Sequence, residues 1–123
     1  MKPLFKNIES YQHYFAKVVL RNWLLTNNKL TPYNIVKIVI EREFCIGGFV
    51  YFKPDLTLYD HDGVKAFYEV TKTNPITLNK IDKMNEFSKI HKWNFNTYEI
   101  KASWIMDQTR IPNKLKIIRT INF

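Results

Sequence analysis

The sequence predicts an α/β fold, a mixed sheet flanked by helices and built in the order helix, three strands, helix, strand. Three observations predict it. Residues 8–25 carry apolar side chains at helical spacing. Three apolar, strand-like runs follow at 35–46, 51–59 and 65–72, punctuated by Gly47-Gly48 and Asp60-His61-Asp62-Gly63. A second helical stripe at 77–92 then precedes a fourth run at 95–106. A helix between the third and fourth runs is compatible with parallel pairing of those strands.

In the first helix, Ile8, Tyr11, Phe15, Val18, Val19 and Trp23 form a broad apolar face, while Glu9, His13, Lys17 and Arg21 recur every fourth position along a polar stripe. Residues 26–33, rich in Asn and containing Pro32, end it in a loop. Along the first strand, Val36, Ile38, Ile40, Phe44 and Ile46 alternate with Val39, Glu41, Glu43 and Cys45. Cys45, between Phe44 and Ile46, reads as a core residue rather than a nucleophile. Gly47-Gly48 breaks or bends the chain before the second strand, where Leu56 and Leu58 face one way and Asp55 and Thr57 the other. Asp62-Gly63 favours a hairpin to the third strand, through a loop expected to exceed two residues. Thr73-Asn74-Pro75 closes that strand. The second helix lines up Ile81, Met84, Phe87 and Ile90, with Lys80, Lys83, Lys89 and Lys92 mostly off the stripe. The tail from Arg110 to Phe123 is either a last edge strand or a docked extension.

A chain of 123 residues, 46% apolar, is expected to form one domain spanning 1–123, with a core at about 8–106 and a tail at 107–123. The net charge is +8 and its cations are spread along the chain, which favours a polyanionic partner, nucleic acid foremost. A single cysteine excludes an internal disulfide framework and a cysteine-rich metal site. No apolar run matches a membrane span or a signal peptide, so an intracellular, cytoplasmic location with no membrane partner is expected.

The chemistry concentrates on acids. A hairpin of the second and third strands holds Asp55 beside Glu69, and two such carboxylates suit Mg²⁺ or Mn²⁺, hard cations that take oxygen ligands. Glu41 or Glu43, on one side of the preceding strand, could add a third carboxylate or hold a metal-bound water. Glu69 lies inside the apolar run Phe67-Tyr68-Glu69-Val70, and a buried carboxylate needs compensation. A metal would supply it; so would a salt bridge to Lys53, Lys17 or Arg42. Asp55, after Pro54, also suits a strand cap. His13 and Lys17, one helical turn apart, either reach the acidic end of the sheet or form a solvated stripe. The chain has no Gly-rich phosphate loop and no serine elbow.

Pro54-Asp55 on one strand and Glu69-Val70-Thr71 on the next, in this order of elements, resemble the PD-(D/E)xK nuclease superfamily. With His13 and Lys17 on the first helix, the chain looks like the small nuclease-like domains of competence-associated and mobile-element proteins. The likeness covers roughly 8–106. It implies a restriction-endonuclease-like core and an endonuclease that uses Mg²⁺ or Mn²⁺ to cut DNA rather than RNA. It makes Asp55 and Glu69 metal ligands and Glu41 or Glu43 an accessory acid. His13, Lys17 and Thr71 would contact the nucleic acid. Where the family pattern has lysine this chain has Thr71. Lys72 points to the opposite side of an undistorted strand, so only a bulge would turn it inward, and Lys53 or Lys17 would otherwise supply the charge. The departure keeps two other expectations open: a nuclease-fold module that binds without cutting or is completed by another chain, and a phage or mobile-element protein-interaction factor. A homodimer or larger complex suits any of these, though no residue marks an interface.

Overall fold

The computed structural model describes residues 8–72 and 76–121, with side chains from 11 to 72 and from 76 to 120. The expected strand end at Thr73-Asn74-Pro75, and the side chains of Ile8 and Glu9, lie outside the described residues. In chain order the elements are α1 (Ile8–Thr26), β1 (Lys37–Ile40), β2 (Phe44–Ile46), β3 (Phe49–Phe52), β4 (Leu56–Asp60), β5 (Gly63–Thr71), α2 (Leu78–His91), β6 (Phe95–Lys101), α3 (Ala102–Ile105), α4 (Ile111–Lys114) and β7 (Lys116–Ile121). Five strands form a mixed sheet in the order β1-β4-β5-β6-β7; only β5 and β6 pair parallel. Helices flank this central sheet.

Helix α1 runs 19 residues without Gly or Pro. It buries Ala16, Leu20, Trp23 and Leu24 against Ile38, Leu56, Leu58, Tyr68 and Val70 of the sheet. The face therefore differs from the expected one: Tyr11 and Phe15 are 52% and 42% exposed. So many apolar residues surround this helix that periodicity alone leaves its rotation undetermined. Ala16, with no bulk beyond Cβ, lets the helix approach the sheet closely.

The expected strand at 35–46 breaks after Ile40. Glu41 takes φ 55°, a left-handed conformation that ends an extended run. The expected strand at 51–59 breaks as well, at Lys53-Pro54-Asp55, since Pro54 has no N–H for a ladder. Between the breaks the chain leaves the sheet to make a separate hairpin, β2–β3, turned at Gly47 (φ 59°) and Gly48 (φ 83°). The Glu41 amide donates to the Asp55 carbonyl at 2.9 Å and closes the hairpin's base. Phe44 stacks on Phe52, with centroids 4.8 Å apart, and meets Phe67, Phe87 and Trp93 edge-on. These rings and Met84 fill a second core on the sheet's other face. Cys45 and Ile46 consequently face solvent, against the expected core position of Cys45.

The β4–β5 turn is tighter than expected. Asp60 pairs with Gly63 (φ 120°), leaving a two-residue loop of His61 and Asp62, and a register shift at Leu58/Tyr59 sets Val64 opposite Tyr59. Thr77 caps α2 through Lys80 N, and left-handed Lys92 (φ 56°) ends it. Ile90 is 69% exposed; Ser88 is buried in its place and donates to the Met84 carbonyl at 2.6 Å. The fourth sheet strand in the expected order, β6, stops at Lys101 rather than 106, and the tail supplies β7 as an antiparallel edge strand. Among the described residues no helix is long and apolar enough to cross a membrane.

Phe44 joins the inserted hairpin to the second core. Phe44→Ala is expected to cost about 3–5 kcal/mol in urea unfolding.

Candidate functional site

One end of the sheet gathers the start of β4, the last turns of β5, the residue after β1 and the N-terminal halves of α1 and α2. Leu56 pairs with Tyr68, so Asp55 stands across from Glu69. The two carboxyls lie close enough to hydrogen-bond each other, and both are buried, at 8% and 5% exposure.

Each acid has its own lysine from a different helix. Lys17 Nζ of α1 sits 2.9 Å from Asp55 Oδ1 and 2.7 Å from Glu41 Oε1. The Val70 amide donates to Asp55 Oδ2 at 2.7 Å. His13 Nε2, one turn before Lys17, donates to the Val70 carbonyl at 2.6 Å and lies 3.8 Å from Asp55 Oδ2. Lys80 Nζ, in the first turn of α2, lies 2.7 Å from Glu69 Oε1. The contact sets the Lys80 ammonium directly against a buried Glu69 oxygen.

The surroundings split the pair electrostatically. Burial acts to raise the Asp55 pKa, but the Lys17 charge, with hydrogen bonds from Lys17, Glu69 and the Val70 amide, holds it below the ordinary carboxylate value. Burial, together with the Asp55 charge, pushes Glu69 up to about 8 even with Lys80 beside it. Burial favours the neutral form of Lys17, yet Asp55 and Glu41 raise its pKa and keep it charged. At neutral pH the metal-free pair thus holds an ionised Asp55 and a protonated Glu69.

The expected residues are not all brought together. Asp55, Glu69, Glu41, His13 and Lys17 meet at this end. Glu43 is exposed, and Glu41 is engaged through Lys17. Thr71, half-buried at the end of β5, pairs with Lys101 across a regular parallel register, without the bulge that would turn Lys72 inward. Lys72 is exposed and lines a groove beside α1, and Lys53 is exposed after the hairpin. Arg42 lies over the Phe44 and Tyr59 rings and bonds the Tyr59 hydroxyl. None of the suggested partners reaches Glu69; Lys80 does. Its signal was its position one turn before Met84, on the buried stripe of α2 rather than off it. Glu99, also not foreseen, stands beside Glu69 on β6, with Oε2 accepting from the Ile76 amide at 2.9 Å.

Among the described residues no group of three or more His, Cys, Asp or Glu is arranged to hold a metal ion. Two facing carboxyls are oxygen donors of the kind Mg²⁺ or Mn²⁺ takes, with Lys17 and Lys80 already standing 2.9 and 2.7 Å from them. No protein-family model matches the chain, and no curated protein matches it in sequence.

Removing Lys17 would strand the buried Asp55 charge. Lys17→Met is expected to cost about 3–5 kcal/mol in urea unfolding, and adding Asp55→Asn should recover most of that loss. The raised Glu69 pKa means the folded chain binds more protons than the unfolded chain between the ordinary value of 4.5 and about 8. Metal-free stability should therefore fall as pH rises through that window. Thermal melts of wild type against Glu69→Gln test this, the variant lacking that part of the decline.

Proposed function

We propose that the chain is a small metal-dependent nuclease with a restriction-endonuclease-like core, hydrolysing phosphodiester bonds, DNA above RNA. The observation that carries the reading is the meeting of buried Asp55 and Glu69 from adjacent strands between two lysines. The sheet order supports it too. Three antiparallel strands followed by a helical crossover to a parallel one is the element order that the Pro54-Asp55 and Glu69 motifs accompany in the PD-(D/E)xK resemblance. A basic chain attracts the polyanionic substrate.

Asp55 and Glu69, with the Val70 carbonyl at their side, would hold Mg²⁺ or Mn²⁺. When bound, such an ion polarises a phosphoryl oxygen and lowers the pKa of water. The chain's own groups do the remaining work. Lys17 keeps Asp55 ionised and ready as a ligand. His13 holds the Val70 carbonyl in place. Lys80 supplies, from α2, the positive charge that Thr71 cannot, and stabilises negative charge gathering on the phosphate. Glu69 must give up its proton before it serves as a ligand.

A second reading, a nuclease-fold module that binds nucleic acid without cutting, is favoured by Lys17. Its ammonium is already shared between Asp55 and Glu41, as in a structural ion-pair network.

Incubation with single-stranded, double-stranded and branched DNA and with RNA, in Mg²⁺ or Mn²⁺, separates the two. The nuclease reading expects metal-dependent cleavage, abolished in folded Asp55→Ala and Glu69→Ala and slowed roughly 10²-fold in Lys80→Ala. Salt-sensitive binding unchanged in Asp55→Ala, without cleavage of any substrate, would leave the second reading standing.

A further inference from the structure

Helix α1 turns two aromatic rings away from the core. Tyr11 and Phe15, one turn apart, are 52% and 42% exposed, with ring planes 14° apart and centroids 6.2 Å from each other. They line a groove of about 340 Å³ against Ala102, Ser103 and Met106, the last 61% exposed. Its walls are mainly apolar, and its volume falls in the range of small-molecule sites. The groove opens beside the acidic site of a strongly basic chain.

Of the polar residues on its lining, Gln12, His13, Lys72 and Ser103, two indicate what enters. His13 belongs both to the groove and to the acidic site, where its Nε2 reaches the Val70 carbonyl at 2.6 Å and stands 3.8 Å from Asp55. Lys72 adds a cation to the lining. The groove thus combines ring faces for a flat aromatic group with positive charge for an anion and direct continuity with the acid pair. A nucleotide has both parts in one unit. Bases in a duplex are already stacked on one another, whereas an unpaired base has a face to offer.

We propose that this groove receives an unstacked nucleobase of single-stranded nucleic acid, whose adjoining phosphates pass Lys72 and His13 toward Asp55 and Glu69. The substrate class rests on the reading given under the proposed function. Stacking on Tyr11 or Phe15 tolerates any base, so the groove contributes affinity and placement rather than sequence preference.

Fluorescence anisotropy of the full chain, with metal chelated, tests it using a short thymidine oligonucleotide and an abasic sugar-phosphate chain of equal length. Wild type is expected to bind the base-bearing chain roughly tenfold more tightly. A Tyr11→Ala, Phe15→Ala double variant, with its fold checked by circular dichroism, should lose that preference while keeping its affinity for the abasic chain and its salt slope. Equal wild-type affinity for both probes, or a preference that survives in the double variant, overturns the groove alone. Failure of both probes to bind at low salt overturns the nucleic-acid reading along with it.

Discussion

Two carboxyls are buried at one end of the sheet, and their compensation ties the surrounding elements together. An isolated buried carboxylate is costly, so each must find a cation, a hydrogen bond or a proton. Asp55 finds Lys17 and the Val70 amide; Glu69 finds Lys80 and retains a proton. Lys17 comes from the helix on one face and Lys80 from the helix leading into the parallel strand. The acids therefore link both helices to this end of the sheet, in addition to the apolar contacts. Since Lys17 also reaches Glu41, the end of β1 is drawn into the same arrangement.

The break in the backbone and the acidic site are one local feature. Glu41 and Asp55 flank the inserted β2–β3 hairpin, and their backbones bond across its base. The left-handed Glu41 and the donor-less Pro54 release the chain from the sheet just where side chains must converge. The hairpin in turn covers the sheet with Phe44 and Phe52, so that Phe67 is wholly enclosed while Glu69, two residues on, meets Lys80. Rigidity in the aromatic layer holds the strand that carries the acid.

Position in a motif and position in space part company at Thr71. The strand supplies no lysine toward the acids, and the regular β5–β6 register leaves Lys72 outside. Positive charge arrives instead at the ends of long side chains from α1 and α2. What phosphate chemistry needs is charge near the reacting oxygens, and a flexible lysine can deliver it from more than one element. The same geometry also serves a purely structural purpose, because an ammonium that neutralises a buried acid keeps the fold intact. The groove beside His13 lies between α1 and α3, on the side of α1 that carries Tyr11 and Phe15.

The sequence by itself determined the neighbours along and across the hairpin. Period-two alternation and the Asp62-Gly63 turn announced the hairpin that brings Asp55 near Glu69, and the register shift at Leu58/Tyr59 sets the two directly across from each other. The helix-strand order was legible from periodicity, and a parallel crossover was compatible with it, while His13 and Lys17 stood open between the acidic end and a solvated stripe until packing placed them. The tertiary structure alone decided which face α1 buries, since its apolar residues surround the helix and only the shape of the sheet selects Ala16 and Leu20 over Tyr11 and Phe15. It alone ended the first long strand at Ile40, because a left-handed Glu41 has no glycine to announce it, whereas Pro54 marked the second break in the sequence itself. It alone brought Lys80 to Glu69 and Glu99 alongside, for those contacts join segments whose separation is closed by packing, and packing is a property of the whole chain.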